Sequence, residues 1–199
     1  MRLRREWRSL ALGCLLFGCC GACAHRPGAA WEKPALVRPD VMPGNFSWRQ
    51  RVELRFAGRT RVFDAVLEKS GTRLSLVGLA PFGGVLLAVS LDGSRVSVSG
   101  PLAATLPFPP EYLLRDVERC YFPVFDAGSP ADGVRTRVVD GVQIAESWSE
   151  GRLQTRSFRS LPARASTRIV YGPPRPDGGY QSVDLTEERR GYRLSITTH

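Results

Sequence analysis

Apolar and polar residues alternate along most of the chain beyond residue 50. Val52, Leu54 and Phe56 share one side of a strand that ends at Ala57-Gly58, and residues 62–67 alternate again before Ser70-Gly71. Leu74 and Leu76 lead to Gly78. Val85, Leu87, Val89 and Leu91 run to Asp92-Gly93, and Val96 and Val98 follow at once. Successive side chains of an extended strand point to opposite faces, so a period of two broken by Gly or Asp at short intervals predicts an antiparallel meander with one face inward. The period then lengthens. Leu113, Leu114, Val117, Cys120 and Tyr121 recur at three and four residues, which predicts one helix that starts at Pro110-Glu111 and is stopped by Pro123. Arg115, Asp116, Glu118 and Arg119 fall mainly on its other side, as in an amphipathic cover for a sheet.

Short, turn-bounded strands return in the second half. They are centred on Val142, Ile144 and Trp148, on Leu153 to Phe158, Ser166 to Tyr171, Tyr180 to Leu185, and Tyr192 to Thr197. About ten strands with one main helix exceed a flat two-sided sheet. The expected fold is mainly β (α+β): a curved antiparallel sheet wrapped about a helix or an apolar cavity.

The N-terminus follows other rules. Arg2, Arg4, Arg5 and Arg8 make a basic start, and Leu10, Ala11, Leu12, Leu15, Leu16 and Phe17 form an apolar run too short for the roughly 20 residues that cross a bilayer. Residues 1–18 therefore read as a signal peptide. Leu16-Phe17-Gly18-Cys19 resembles a lipobox, in which a small residue precedes the cysteine that takes a diacylglyceryl group; Cys19 is the expected lipidation site and Cys23 the fallback. Cys20, not Asp, follows Cys19, and in a Gram-negative cell that resembles sorting to the outer membrane, on its periplasmic face. From Cys19 to residue 44 runs a tether with Pro27, Pro34, Pro39 and Pro43, extended at about 3 Å per residue. Residues 45–199 are left as one domain.

Composition narrows the chemistry. Beyond the leader cluster only Cys120 remains, so the domain has no disulfide framework, and a buried thiol is expected. His25 lies in the tether and His199 ends the chain. With no nucleophile elbow, P-loop or metal-ligand spacing, the sequence predicts no enzyme, no catalytic residue, no metal and no cofactor. The formal charge is +9, and it falls to +6 without residues 1–18. Only Lys33 and Lys69 are lysines. Scattered arginines make a solvated basic surface or favour anionic membrane. Without a basic helix or an RNA-binding string, nucleic acid is not an expected partner.

Three strings carry a family resemblance: Arg73-Leu-Ser-Leu-Val-Gly-Leu, Leu113-Leu-Arg-Asp-Val-Glu-Arg-Cys-Tyr-Phe-Pro, and Arg190-Gly-Tyr-Arg-Leu-Ser-Ile. With the order of elements they resemble LolA and LolB, the periplasmic carrier and the receptor of bacterial lipoprotein transport. They resemble more closely a family of bacterial lipoproteins related to LolB that has no established activity. The resemblance implies an unclosed half-barrel with a covering helix, acting as a monomer. Its inward residues, Leu54, Phe56, Leu74, Leu76, Leu87 and Val89, would hold acyl chains or another lipidic cargo, with a LolA-like carrier as a partner. The uncharged segment Leu79-Ala80-Pro81-Phe82-Gly83-Gly84 is similar to the LolB hairpin that engages membrane. This places Leu79, Pro81 and Phe82 at a membrane or partner contact, unless Phe82 tucks into the barrel mouth as core. The competing expectation is an envelope scaffold that binds a protein through its surface and holds no lipid.

Overall fold

The computed structural model describes residues 33–106, 108–125, 131–161 and 165–199. The expected signal peptide, Cys19, Cys23 and most of the tether lie outside the described residues. Two meanders build the sheet. The first comprises β1 (Phe46–Phe56), β2 (Arg59–Ser70), β3 (Arg73–Leu79), β4 (Val85–Asp92) and β5 (Arg95–Ser99). The second comprises β6 (Gly133–Val139), β7 (Val142–Ser149), β8 (Arg152–Ser160), β9 (Ser166–Tyr171), β10 (Ser182–Glu187) and β11 (Tyr192–Thr198). They join where the first strand meets the last: Val52 faces Ile196, Leu54 faces Leu194 and Phe56 faces Tyr192. The result is one eleven-stranded antiparallel sheet in the order β5-β4-β3-β2-β1-β11-β10-β9-β8-β7-β6. Its two edge strands do not pair with each other, so the curved sheet is an unclosed half-barrel.

Strand β6 was not foreseen. Its sequence, Gly-Val-Arg-Thr-Arg-Val-Val, is almost wholly exposed at the sheet edge, so it carries little of the buried alternation that marks the other strands. The last hairpin is also shifted. Strand β10 starts at Ser182, and Tyr180 instead forms an isolated bridge with Pro174.

Between the meanders the chain crosses the concave face. A strap, residues 100–110, leaves β5, makes a 3-10 turn at Ala103–Thr105 and delivers Phe108 onto the Tyr192 ring, 4.8 Å between centroids. Gly100 begins it at a φ of +97°, and a Cβ there would stand 2.5 Å from the Leu86 carbonyl oxygen, so only glycine fits. Helix α1 (Glu111–Tyr121) then runs back beneath the sheet. Its core side was foreseen, but its charged side is not in solvent. Asp116 and Glu118 are 2% and 6% exposed: Arg190 and Tyr192 of the last hairpin meet Asp116, and the segment before β1 meets Glu118 through the Val37 N–H.

The end of α1 shows how closely sheet and helix are matched. Pro123 has no N–H to give the Arg119 carbonyl, which would stay unbonded. Arg156 of β8 supplies the donor, reaching the Arg119 and Phe122 carbonyl oxygens at 2.6 and 3.0 Å while its Nε bonds Glu146 at 2.7 Å. Tyr171 of β9 donates to the Cys120 carbonyl at 2.9 Å. Arg156→Met should strand two carbonyls and leave a buried carboxylate, lowering stability by about 3–5 kcal/mol. Tyr171→Phe should cost about 1 kcal/mol. Urea unfolding of the two variants tests this ordering; equal losses would show that Arg156 does not hold the helix end.

Candidate functional site

The concave face is divided. On the β1–β4 side it is built mainly of Val52, Leu54, Phe63, Ala65, Leu67, Leu74, Leu76, Leu87 and Val89, with Gln50 and Lys69 toward one end and Arg59 and Arg61 at the other. Gly78 belongs here because a Cβ would crowd the Phe63 ring at 3.2 Å. On the β7–β11 side Glu146, Arg156, Thr167 and Glu187 point inward, and all are buried.

Helix α1 matches the division. Leu113, Val117 and Cys120 face an apolar space, while Asp116 and Arg119 enter a buried ionic cluster. Arg119 donates to Glu187 at 3.0 Å and to Thr167 at 2.6 Å, and Thr167 in turn donates to Glu187 at 2.6 Å. Arg190 bonds Glu187 at 2.7 Å and Asp116 at 3.5 Å. The Tyr192 hydroxyl donates to the second Asp116 oxygen. Arg190 also lies over the Tyr112 ring at 4.2 Å, a cation–π contact that covers the guanidinium plane.

These environments shift the carboxyls in different directions. Burial raises Asp116 to about 6 despite Arg190 and the Tyr192 hydroxyl. Burial also raises Glu118, to about 7, against the hydrogen bond it accepts from the Val37 N–H at 2.9 Å. Glu187 is driven upward by burial too, but the Thr167 hydroxyl and Arg190 outweigh it and hold the carboxyl below its usual value. Asp116 and Glu187 each accept several donors, which suits an anchor for the helix, whereas Glu118 accepts one bond, from the Val37 N–H. Cys120 is a buried free thiol, and burial pushes its pKa up, away from the reactive thiolate. Among the described residues no three His, Cys, Asp or Glu side chains are placed to hold a metal ion.

Between helix and apolar half-sheet lies a cavity of about 40 Å³, lined by Val52, Leu54, Phe63, Leu76, Leu87, Leu102, Leu106, Leu113, Val117 and Leu194 among others, with Asp116 and Gln50 at its margin. Two grooves flank it. One, of about 370 Å³, is walled by Phe63, Leu86 and Leu102; the other, of about 290 Å³, by Leu54, Phe56 and Leu106. Leu102 and Leu106 of the strap therefore stand as partitions, each lining the cavity on one side and a groove on the other.

Of the residues named for cargo, Leu54, Leu76 and Leu87 line the cavity and Phe56 the adjoining groove. Leu74 and Val89 lie deeper on the same face, fully buried in the packed core. The strap leucines, Leu102 and Leu106, were missed; they sit in a Pro-rich stretch without periodicity, and nothing local marks them as a wall. Phe82 does not tuck into the mouth. It stands at the tip of the β3–β4 hairpin, 103% exposed, beside exposed Pro81 and half-buried Leu79. The tip is closed by bonds from the Gly83 N–H to the Ala80 carbonyl and from the Ala80 N–H to that of Gly84.

The architecture is that of an unclosed half-barrel with a helix strapped across an apolar floor. The chain belongs to the family described as Protein of unknown function (DUF3261), whose model matches residues 47–199. No curated protein sequence matches it. Among solved structures it is similar to a LolA superfamily protein from Nitrosomonas europaea, at 8% identity and a TM-score of 0.45 over 81% of this chain and 88% of that one. It is also similar to a domain described as an outer membrane lipoprotein-sorting protein from Vibrio parahaemolyticus, at 10% identity and a TM-score of 0.46 over 78% and 83%. A DUF1329 family protein from Desulfovibrio piger follows, at 11% identity and a TM-score of 0.31 over 77% and 82%.

The raised carboxyls give stability a definite pH dependence. Asp116 and Glu118 hold their protons more tightly when folded, so their burial costs nothing below the unfolded values near 4 and its full amount above about 7. Stability should fall as the pH rises across that window. The lowered Glu187 acts with the opposite sign, at more acid pH. Glu118→Gln keeps an acceptor for the Val37 N–H and removes the charge. It should flatten the slope between pH 5 and 8 and stabilise at pH 8 by about 1 kcal/mol. Urea midpoints across that range test it; an unchanged slope would place Glu118 outside the linkage.

Proposed function

We propose that this protein is a lipid-anchored carrier of the bacterial envelope that takes an acyl chain or similar lipidic cargo onto the apolar half of its sheet. The observation that supports this best is the strap: Leu102 and Leu106, together with Phe63 and Leu54, stand between a largely apolar cavity and two grooves. A cavity of about 40 Å³ holds a few waters and no chain. Cargo therefore enters only as the strap lifts. Merging the cavity with its grooves then gives a space of several hundred Å³, the size of ordinary ligand sites. Apolar burial at about 25 cal/mol per Å² supplies the affinity, without covalent chemistry. Phe82 engages a membrane or a LolA-like donor, an action like that of the LolB hairpin, and Cys19 carries the acyl anchor at the outer membrane.

A second reading is favoured by a different observation. Val134 and Val138 are 69% and 60% exposed on the unpaired edge strand β6, and open strand edges accept partner strands. A scaffold would use that edge and leave the strap shut.

Native mass spectrometry of the full chain extracted from bacterial envelope separates the two. A bound lipid or acylated peptide is the result the carrier predicts. A co-purifying protein, lost when Val138 is replaced by Lys, would favour the scaffold. Phe82→Glu should change stability by less than about 0.5 kcal/mol, since the ring touches only solvent. It should markedly reduce co-sedimentation with lipid vesicles; undiminished binding would remove Phe82 from the membrane contact.

A further inference from the structure

The rim of the half-barrel beside the strap carries a charge pattern that the carrier reading does not use. Strands β1 and β2 turn at Ala57-Gly58, and there Phe56 pairs with Arg59 and Leu54 with Arg61. Side chains alternate across a strand, so both arginines share the concave side with Leu54, Phe56 and Phe63. Both line the groove beside Leu106, and Arg61 lines the other groove as well. The hairpin's two carboxylates near this end lie on the convex side and are already engaged, Asp64 by Arg51 at 3.3 Å and Glu53 by Arg55. Among the described residues neither Arg59 nor Arg61 enters an ion pair. Two guanidinium groups outside any ion pair thus stand at the rim where Leu106 and Leu54 part the cavity from the groove.

We propose that Arg59 and Arg61 bind the anionic head group of a single amphiphile whose apolar chain lies under the strap. This rests on the carrier reading and names its cargo class: a chain-bearing phosphate or carboxylate. The planar guanidinium forks suit such oxyanions, which they bond in pairs. An anion there keeps its other face in water, so its desolvation cost is small, while the chain takes the partition positions of Leu102 and Leu106. The β3–β4 hairpin tip lies at the same end of the sheet, because β1 and β3 run the same way and both end there. Phe82 and the arginines therefore meet a membrane surface together, where anionic lipid is concentrated.

The test uses the full chain carrying Cys19→Ser and Cys23→Ser, which removes both candidate acylation thiols. Calorimetric titration compares palmitoyl lysophosphatidylglycerol with palmitoyl lysophosphatidylcholine below their micellar concentrations, so that the chain is constant and only net head-group charge differs. The anionic lipid should bind roughly tenfold more tightly. Arg59→Gln with Arg61→Gln should abolish the preference and leave the zwitterionic lipid's affinity unchanged; glutamate at both positions should reverse it. Thermal unfolding of each variant accompanies the titration, and matching midpoints show that the fold is intact. Equal binding of both lipids by the parent chain, or a preference that survives the substitutions, overturns the head-group site while the carrier reading stands. Absence of binding by both lipids overturns the carrier reading and the head-group site together. Inorganic phosphate should not compete at lipid-equivalent concentrations, and competition equal to the anionic lipid's would reveal a free-anion site and overturn the proposal.

Discussion

The architecture depends on one buried ionic cluster. Asp116 and Arg119 of the helix meet Glu187 and Arg190 of the last hairpin, and the Thr167 and Tyr192 hydroxyls add further bonds. Two acids and two bases balance in charge, which is the condition for burying them at all. Such a cluster adds little net stability compared with apolar packing, but it fixes position, since any other placement of the helix leaves a bare charge in a low-dielectric interior. Arg156 and Tyr171 act in the same direction at the helix end. The helix is thus tied to one half of the sheet by directional bonds.

Toward the other half the same helix presents mostly carbon, with the Tyr121 hydroxyl accepting one bond from the Gln50 amide at 3.1 Å. Apolar contact has no direction, and it loses little when surfaces slide or part slightly, until water enters. The cavity lies on this side, and so does the strap. Leu102 is tied to β4 through its N–H and the Leu86 carbonyl at 2.8 Å; Phe108 is held by stacking on Tyr192; Thr105 and Leu106 between them are half-exposed or exposed. Directional bonds thus concentrate on one side of the helix and apolar contact on the other.

The sheet was legible in the sequence because its strands are half-buried, so each wrote a period-two pattern, and the one strand missed, β6, is the one exposed on nearly every residue. The helix was legible for the same reason, down to its stop at Pro123. Its charged side was misread, since Asp116 and Glu118 look like solvent residues until Arg190, Tyr192 and the Val37 N–H arrive from positions far along the chain. Local sequence carries no trace of such partners. Leu54, Leu76 and Leu87 could be named as inward-facing, but not told apart from Leu74 and Val89. Which inward residue borders a void is decided by what lies opposite, here Leu102 and Leu106, and those were invisible in an aperiodic segment.

Direction adds a last constraint. The described chain enters β1 at Phe46, the end of the sheet opposite the Ala57-Gly58 turn and Phe82. The residues just before that strand are already docked on the domain: the Val37 N–H bonds Glu118 at 2.9 Å, Pro39 is buried in a 3-10 turn, and Lys69 donates to the Gly44 carbonyl at 2.5 Å. The chain is therefore fixed to helix α1 and to β2 before β1 begins. Strand β1 spans eleven residues, about 35 Å at the rise of an extended strand, so this entry point and the rim with its hydrophobic hairpin are held a full strand length apart. The acid that receives Val37, Glu118, is one that burial drives upward, so the same contact that fixes the entry of the chain also carries part of the pH dependence of the fold.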